Sequence, residues 1–150
     1  MNIIVDAFGG DNAPLEIIKG CVEAVAEYNI NVTLTGDETK IKNVFSENSL
    51  SMNNIDICHC TQKITMEDSA ESVLKEKKDS SMAVGLRLLN DGKGDAFVSA
   101  GNSGALCVGA TLAIKRIKGI HVLRNALSIK ASHKKAQIKA NASSKGLDMS

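Results

Sequence analysis

The chain has 150 residues, 43% hydrophobic and 23% charged, and a formal net charge of +1. This balance suits one folded domain with a real core and excludes a disordered or strongly basic nucleic-acid-coating protein. With no Trp and only 3% aromatic residues, the chain also lacks the stacking platforms that hold single-stranded nucleic acid.

The charge is unevenly placed. Arg124, Lys130, Lys134, Lys135, Lys139 and Lys145 face Asp148 alone after residue 120, so the first 120 residues are net acidic. We therefore expect an α/β portion over 1–120 and a divergent basic tail over 121–150, non-native or read from a shifted frame. Met1 to Asp6 lacks the basic start and apolar run of a signal peptide, and no stretch has the length of a membrane span. A cytoplasmic location follows as the expectation, with Cys21, Cys58, Cys60 and Cys107 reduced.

In chain order, Asn2 to Val5 is a short β-rich run ending at Asp6, followed by the turn formers Gly9-Gly10 and Asp11-Asn12 and by Pro14. Leu15, Ile18, Val22, Val25 and Ala26 then recur at helical spacing up to about Tyr28. Ile30 to Leu34 reads as a second strand, Asp37 as the cap of a helix faced by Ile41, Val44 and Phe45, and Ile55 to Cys60 as a third strand. Alternation along that strand puts Cys58 and Cys60 on one face and His59 on the other, which argues against a metal site. Thr61 to Ser69 reads as a loop and Glu71 to Lys77 as a helix. Asp79 or Ser80 caps the next helix, which carries Val84, Leu86, Leu88 and Leu89 and stops at Gly92.

Ala96-Phe97-Val98 is a short apolar strand that ends in six small residues, Ser99-Ala100-Gly101-Asn102-Ser103-Gly104, before an apolar, helix-length run from Ala105 to Ile114. Asn102 or Ser103 suits the cap of that helix, and Gly101 and Gly104 let the backbone approach a ligand. In a parallel α/β sheet such a loop lies at the carboxyl end of a strand, so it reads as a phosphate-type anion cradle or as a plain tight turn. Asp6 and Asp11 likewise suit either turn and capping roles or a site. Four strands alternating with helices predict a parallel, helix-covered sheet of the three-layer α/β/α class. No P-loop, dinucleotide fingerprint or nucleophile elbow is present, which leaves an anion site assembled from several loops at one sheet end.

Three of these loops together resemble the bacterial phosphate acyltransferase (PlsX) family. Val5-Asp6-Ala7-Phe8-Gly9-Gly10-Asp11-Asn12-Ala13-Pro14 is similar to the family's amino-terminal Asp-Ala-Met-Gly-Gly-Asp motif, with Phe8 where Met is usual. Lys78-Asp79-Ser80-Ser81-Met82 matches its Lys-Asp-Ser-Ser-Met motif, and Ser99 to Ala105 its Ser-Ala-Gly-Asn-Thr-Gly-Ala motif, with Ser103 for Thr. Leu34-Thr35-Gly36-Asp37 and Arg116 to Ile120 also fit. After Ile120 the match stops: the family's chains are longer and continue to an Asp-x-Gly-Ala-Asn motif that is missing here.

The resemblance implies a fold like those of the isocitrate and isopropylmalate dehydrogenases and phosphotransacetylase. It implies a fatty acyl transfer from acyl carrier protein to inorganic phosphate, giving an acyl phosphate for phospholipid synthesis. It further implies an enzyme that uses no cofactor and no metal, that forms a homodimer, and that sits at the inner face of the membrane without binding nucleic acid. In this chain the implied catalytic residues are Asp6, Asp11 and Lys78. The implied phosphate ligands are Gly9, Gly10, Ser80, Ser81, Ser99, Ala100, Gly101, Asn102, Ser103 and Gly104. The alternatives are an inactive fragment of that enzyme, binding phosphate or a partner at most, and a phosphate acetyltransferase-like enzyme using acyl-CoA.

Overall fold

Strand and helix alternate as the apolar pattern requires. In the computed structural model, which describes residues 1–114 and the strands at 126–129 and 137–140, β1 (Asn2–Asp6) leads to α1 (Leu15–Tyr28), then β2 (Asn31–Gly36) to α2 (Glu38–Glu47). β3 (Ile55–His59), α3 (Ser81–Asn90), β4 (Ala96–Val98) and α4 (Ser103–Ala113) follow. The four strands pair in parallel in the order β3-β2-β1-β4, with Val5 opposite both Leu34 and Val98. From β1 the chain steps outward through β2 to β3, then crosses back to place β4 on the other side of β1. The order in which strands are added therefore reverses between β1 and β4, the position at which open parallel sheets form a ligand crevice.

Alternation along the strands separates two cores. Val5 on β1 and Val32 and Leu34 on β2 point to one face and pack with Ile18 and Cys21 of α1 and with Ile41 and Phe45 of α2. The other face is covered by α3 and α4, whose Met82, Leu86 and Ala105 bury with Ile64 and Val73. The result is a three-layer α/β/α arrangement. α3 lies close to the sheet because Gly85 has no side chain where the Phe97 ring sits: an added Cβ would come within 2.2 Å of that ring.

The caps resolve the choices the sequence left open. Asp37 Oδ1 accepts from Lys40 N at 3.1 Å, Ser80 Oγ from Ala83 N at 3.3 Å, and Asn102 Oδ1 from Ala105 N at 3.0 Å. Ser80, not Asp79, is thus the cap of α3, and Asn102, not Ser103, the cap of α4. Asp79 accepts instead from both Thr61 N and Thr61 Oγ1, which hold its carboxyl below the usual range.

One predicted helix is absent: residues 71–76 form successive turns. Ser72 Oγ donates to Ser69 O at 2.7 Å, and the backbone N–H groups close at mixed spacings, Leu74 to Glu71 and Lys77 to Ser72. Side-chain bonding of this local kind competes with the regular helical ladder.

The chain divides into two compact units, Met1–Lys115 and Arg116–Ser150. In the second, β5 (Ala126–Ile129) pairs antiparallel with β6 (Gln137–Ala140). The rest of the expected tail lies outside the described residues.

Candidate active site

At the carboxyl ends of β1 and β4 two loops interlock around a buried carboxylate. Asp6, 2% exposed, is the last residue of β1. Its Oδ1 accepts from Phe8 N at 3.1 Å and its Oδ2 from Ser99 Oγ at 2.8 Å. Ser99 Oγ in turn accepts from Gly101 N at 3.1 Å. One carboxylate thereby fixes the turn after its own strand and, through one hydroxyl, the turn after the neighbouring strand.

Gly9 makes this approach possible. A Cβ there would lie 2.7 Å from Asp6 Oδ2, 2.8 Å from Gly101 N and 2.8 Å from Ser99 Oγ. Gly10, at φ +115°, adopts a backbone conformation closed to most side chains.

An open cleft of about 400 Å³ lies over the two loops, walled by Gly10 and Asp11 from one and Ala100 and Gly101 from the other. The segment from Lys63 to Glu67 closes its third side. Two carboxylates, Asp11 and Glu67, and one ammonium, Lys63, share the walls. Monoprotonated phosphate suits such a mixture, because its oxygens accept from N–H groups while its P–OH donates to a carboxylate.

The third wall is clamped in place by Asn102. Its Nδ2 donates to Thr65 O and Asp68 O, both at 3.1 Å, while its Oδ1 caps α4. Asp68 Oδ2 accepts from Thr65 N, Thr65 Oγ1 and, at 2.5 Å, Lys77 Nζ. The Lys77 ammonium, with the Thr65 N–H, holds the Asp68 carboxyl below the usual range.

The expected site residues thus fall into groups. Asp6, Gly9, Gly10, Ser99, Ala100, Gly101 and Asn102 come together with Asp11 at the cleft and its floor. Ser80 and Ser81 are buried at the start of α3: Ser80 Oγ is engaged as the cap, and Ser81 O accepts from Thr35 Oγ1 at 2.8 Å. Ser103 and Gly104 are exposed on the first turn of α4. Lys78 is not brought to the cleft: it borders a separate groove between α3 and α4, with Leu86, Arg87 and Gly109. Lys63 is the cation on the cleft wall, and Thr65, Asp68 and Lys77 fix that wall. Sequence reading missed all four, since they lie in what reads as an undifferentiated loop and an ordinary solvated helix face.

Among the described residues, no three His, Cys, Asp or Glu side chains gather as metal ligands, and no helix is long and apolar enough to cross a membrane. His59 Nδ1 accepts from Glu38 N at 3.1 Å. Burial pushes the Cys60 thiol up to about 12, so it is no nucleophile at neutral pH.

The family model for the fatty acid synthesis protein matches residues 1–140. The chain belongs to that family. Curated relatives named phosphate acyltransferase are similar over most of this chain. The protein of Alkaliphilus oremlandii is 47% identical over 120 residues, and that of Acetivibrio thermocellus 49% over 121, covering 80% of this chain and 36% of each relative. The protein of Clostridioides difficile is 43% identical over 120 residues, 35% of its length. The matched stretch therefore spans about a third of these relatives.

Proposed function

We propose that the chain provides the phosphate-binding part of an enzyme that transfers a fatty acyl group from acyl carrier protein to inorganic phosphate. The observation that carries this reading is the union of two glycine-bearing loops at the β1–β4 reversal, braced by Asp6 and Ser99 beneath an open cleft. The name of the relatives, phosphate acyltransferase, supports the same chemistry.

The step needs little from the protein beyond positioning, since the thioester is already activated. A phosphate oxygen attacks the thioester carbonyl carbon, a C–O bond forms, the C–S bond breaks, and the phosphate proton passes to the departing thiolate. The backbone N–H groups of Gly10 and Ala100 hold phosphate, Lys63 offsets its charge, and Asp11 accepts its P–OH and orients the attacking oxygen. Asp6 is a positioning residue, because both its oxygens are engaged by the loops. Lys78 has no part in this assignment. We further propose that the whole enzyme is a cytoplasmic homodimer that meets the inner membrane peripherally, and that its acyl phosphate feeds phospholipid synthesis.

The test is acyl phosphate formation from palmitoyl-acyl carrier protein and inorganic phosphate, by this chain and by the Alkaliphilus oremlandii relative. Turnover by the relative that collapses when the glycine equivalent to Gly9 becomes Ala is the expected result. Equal rates with acyl-CoA as donor would favour the acetyltransferase-like alternative, and turnover by the relative alone would make this chain a binding fragment.

A further inference from the structure

A second groove, of about 200 Å³, opens beside the phosphate cleft and shares two walls with it, Phe8 and Lys63. Its remaining lining includes Lys40, Thr61 and Gln62. The position of Phe8 is set by Gly36, the last residue of β2, where a Cβ would come within 2.4 Å of the ring. Lys40, whose side chain is 68% exposed, places Nζ 6.0 Å from the centre of that ring. The groove thus carries an aromatic face, two ammonium groups and the amide of Gln62.

The carboxylates nearby are already engaged. Asp37 Oδ1 accepts from Lys40 N, which holds its carboxyl below the usual range, and Oδ2 lies 3.6 Å from Lys40 Nζ. Asp79 is taken up by Thr61, and its N–H donates to Gln62 Oε1 at 3.3 Å. Cys60 also lines the groove, but its Sγ–H donates to Cys58 O and its thiol stays protonated, so the acyl group is not handed to the protein there.

Acyl transfer to phosphate requires two anionic reactants to meet: the nucleophile in the cleft and a donor whose thioester hangs on a phosphodiester-linked arm. We propose that the groove of Phe8, Lys40 and Lys63 receives that arm, with the Lys40 ammonium on its phosphate and the Phe8 ring against its apolar stem. The inference rests on the acyl-transfer reading above. It gives the donor a defined direction of approach, over Phe8 and into the phosphate cleft, and makes Lys40 a determinant of donor affinity that phosphate does not touch.

The experiment titrates this chain, by amide chemical shift, with 4′-phosphopantetheine, with pantetheine lacking the phosphate, and with inorganic phosphate. 4′-Phosphopantetheine is expected to shift Phe8, Thr61 and Gln62 and to bind about tenfold more tightly than pantetheine. Lys40→Ala is expected to remove that advantage while the response of Gly10 and Gly101 to inorganic phosphate stays unchanged. Equal binding of the two arms, or binding indifferent to Lys40→Ala and Lys40→Glu, overturns the proposal even if phosphate still shifts Gly10 and Gly101. Lys40-dependent binding of the arm by a chain whose Gly10 and Gly101 ignore phosphate would uphold the groove and sink the phosphate cleft.

Discussion

The two faces of the sheet are built from different materials. Towards α1 and α2 the core is closed and apolar, with Leu34, Ile18 and Ile41 fully buried and Phe45 nearly so. Towards α3 and α4 the buried groups include Asp6, Thr35, Ser80 and Ser81, and the apolar cluster is smaller. Leu112 of α4 is 61% exposed. The first face carries stability, whereas the second gives up apolar burial for the hydrogen bonds that shape a site. Buried polar groups are tolerated there because each is matched: among the described residues, no buried side-chain nitrogen or oxygen lacks a partner.

The largest effect should come from the apolar face. Phe45→Ala is expected to cost about 3–5 kcal/mol in urea unfolding, because a large buried ring leaves a cavity. Phosphate-induced shifts at Gly10 and Gly101 should persist in whatever fraction remains folded. Loss of those shifts from folded protein would show that the two faces are not separable.

On the polar face, Gly9→Ala should cost about 1–3 kcal/mol through overpacking against Asp6, Ser99 and Gly101. It should also weaken phosphate binding at least tenfold, since the loops must part to admit the methyl group. Normal phosphate binding by the Gly9→Ala variant would remove the interlocked loops from the site.

Asn102 performs two jobs that substitution can divide. Asn102→Asp keeps an oxygen to cap α4 but loses the amide donors to Thr65 O and Asp68 O, whereas Asn102→Ala loses both. Hydrogen exchange at residues 63–68 should quicken in both variants. Only Asn102→Ala should also lose the cap, at about 1 kcal/mol. Equal loss in both would mean that the clamp, not the cap, holds α4.

The same wall should respond to acid. The folded-state carboxyl of Asp68 is depressed from 3.8, so its contribution is complete above that value and fades as pH falls through the lower folded value. Amide protection at Thr65 should therefore stay level from neutral pH to about 4 and drop below it, with Asp68→Asn flat over the same range. A fall centred near neutrality would point to another group.

The smallest effect is expected at Lys78, exposed and away from the cleft. Lys78→Ala should change stability by less than about 0.5 kcal/mol and leave phosphate binding unaltered. A marked loss of binding would return Lys78 to the site and displace Lys63 from its assigned role.

Much of this molecule follows from local sequence. Apolar periodicity and capping chemistry place β1 to β4 and α1, α2, α3 and α4 to within a few residues, because both act over neighbouring turns. The small-residue runs Gly9-Gly10 and Ser99 to Gly104 mark loops that admit close backbone approach wherever they are placed. Local signals failed at 71–76, where Ser72 bonds backward to Ser69 and a helical composition becomes a series of turns. Which loops meet is set by the order of strands across the sheet, through contacts between residues far apart in the chain. Only the pairing of β4 beside β1 joins Ser99 to Asp6. Only the packing of the 61–69 segment onto Asn102 brings Lys63 to the cleft and engages the Asn102 amide as a clamp. Strand order is a property of the whole packed chain, so the tertiary structure alone decides the membership of the site.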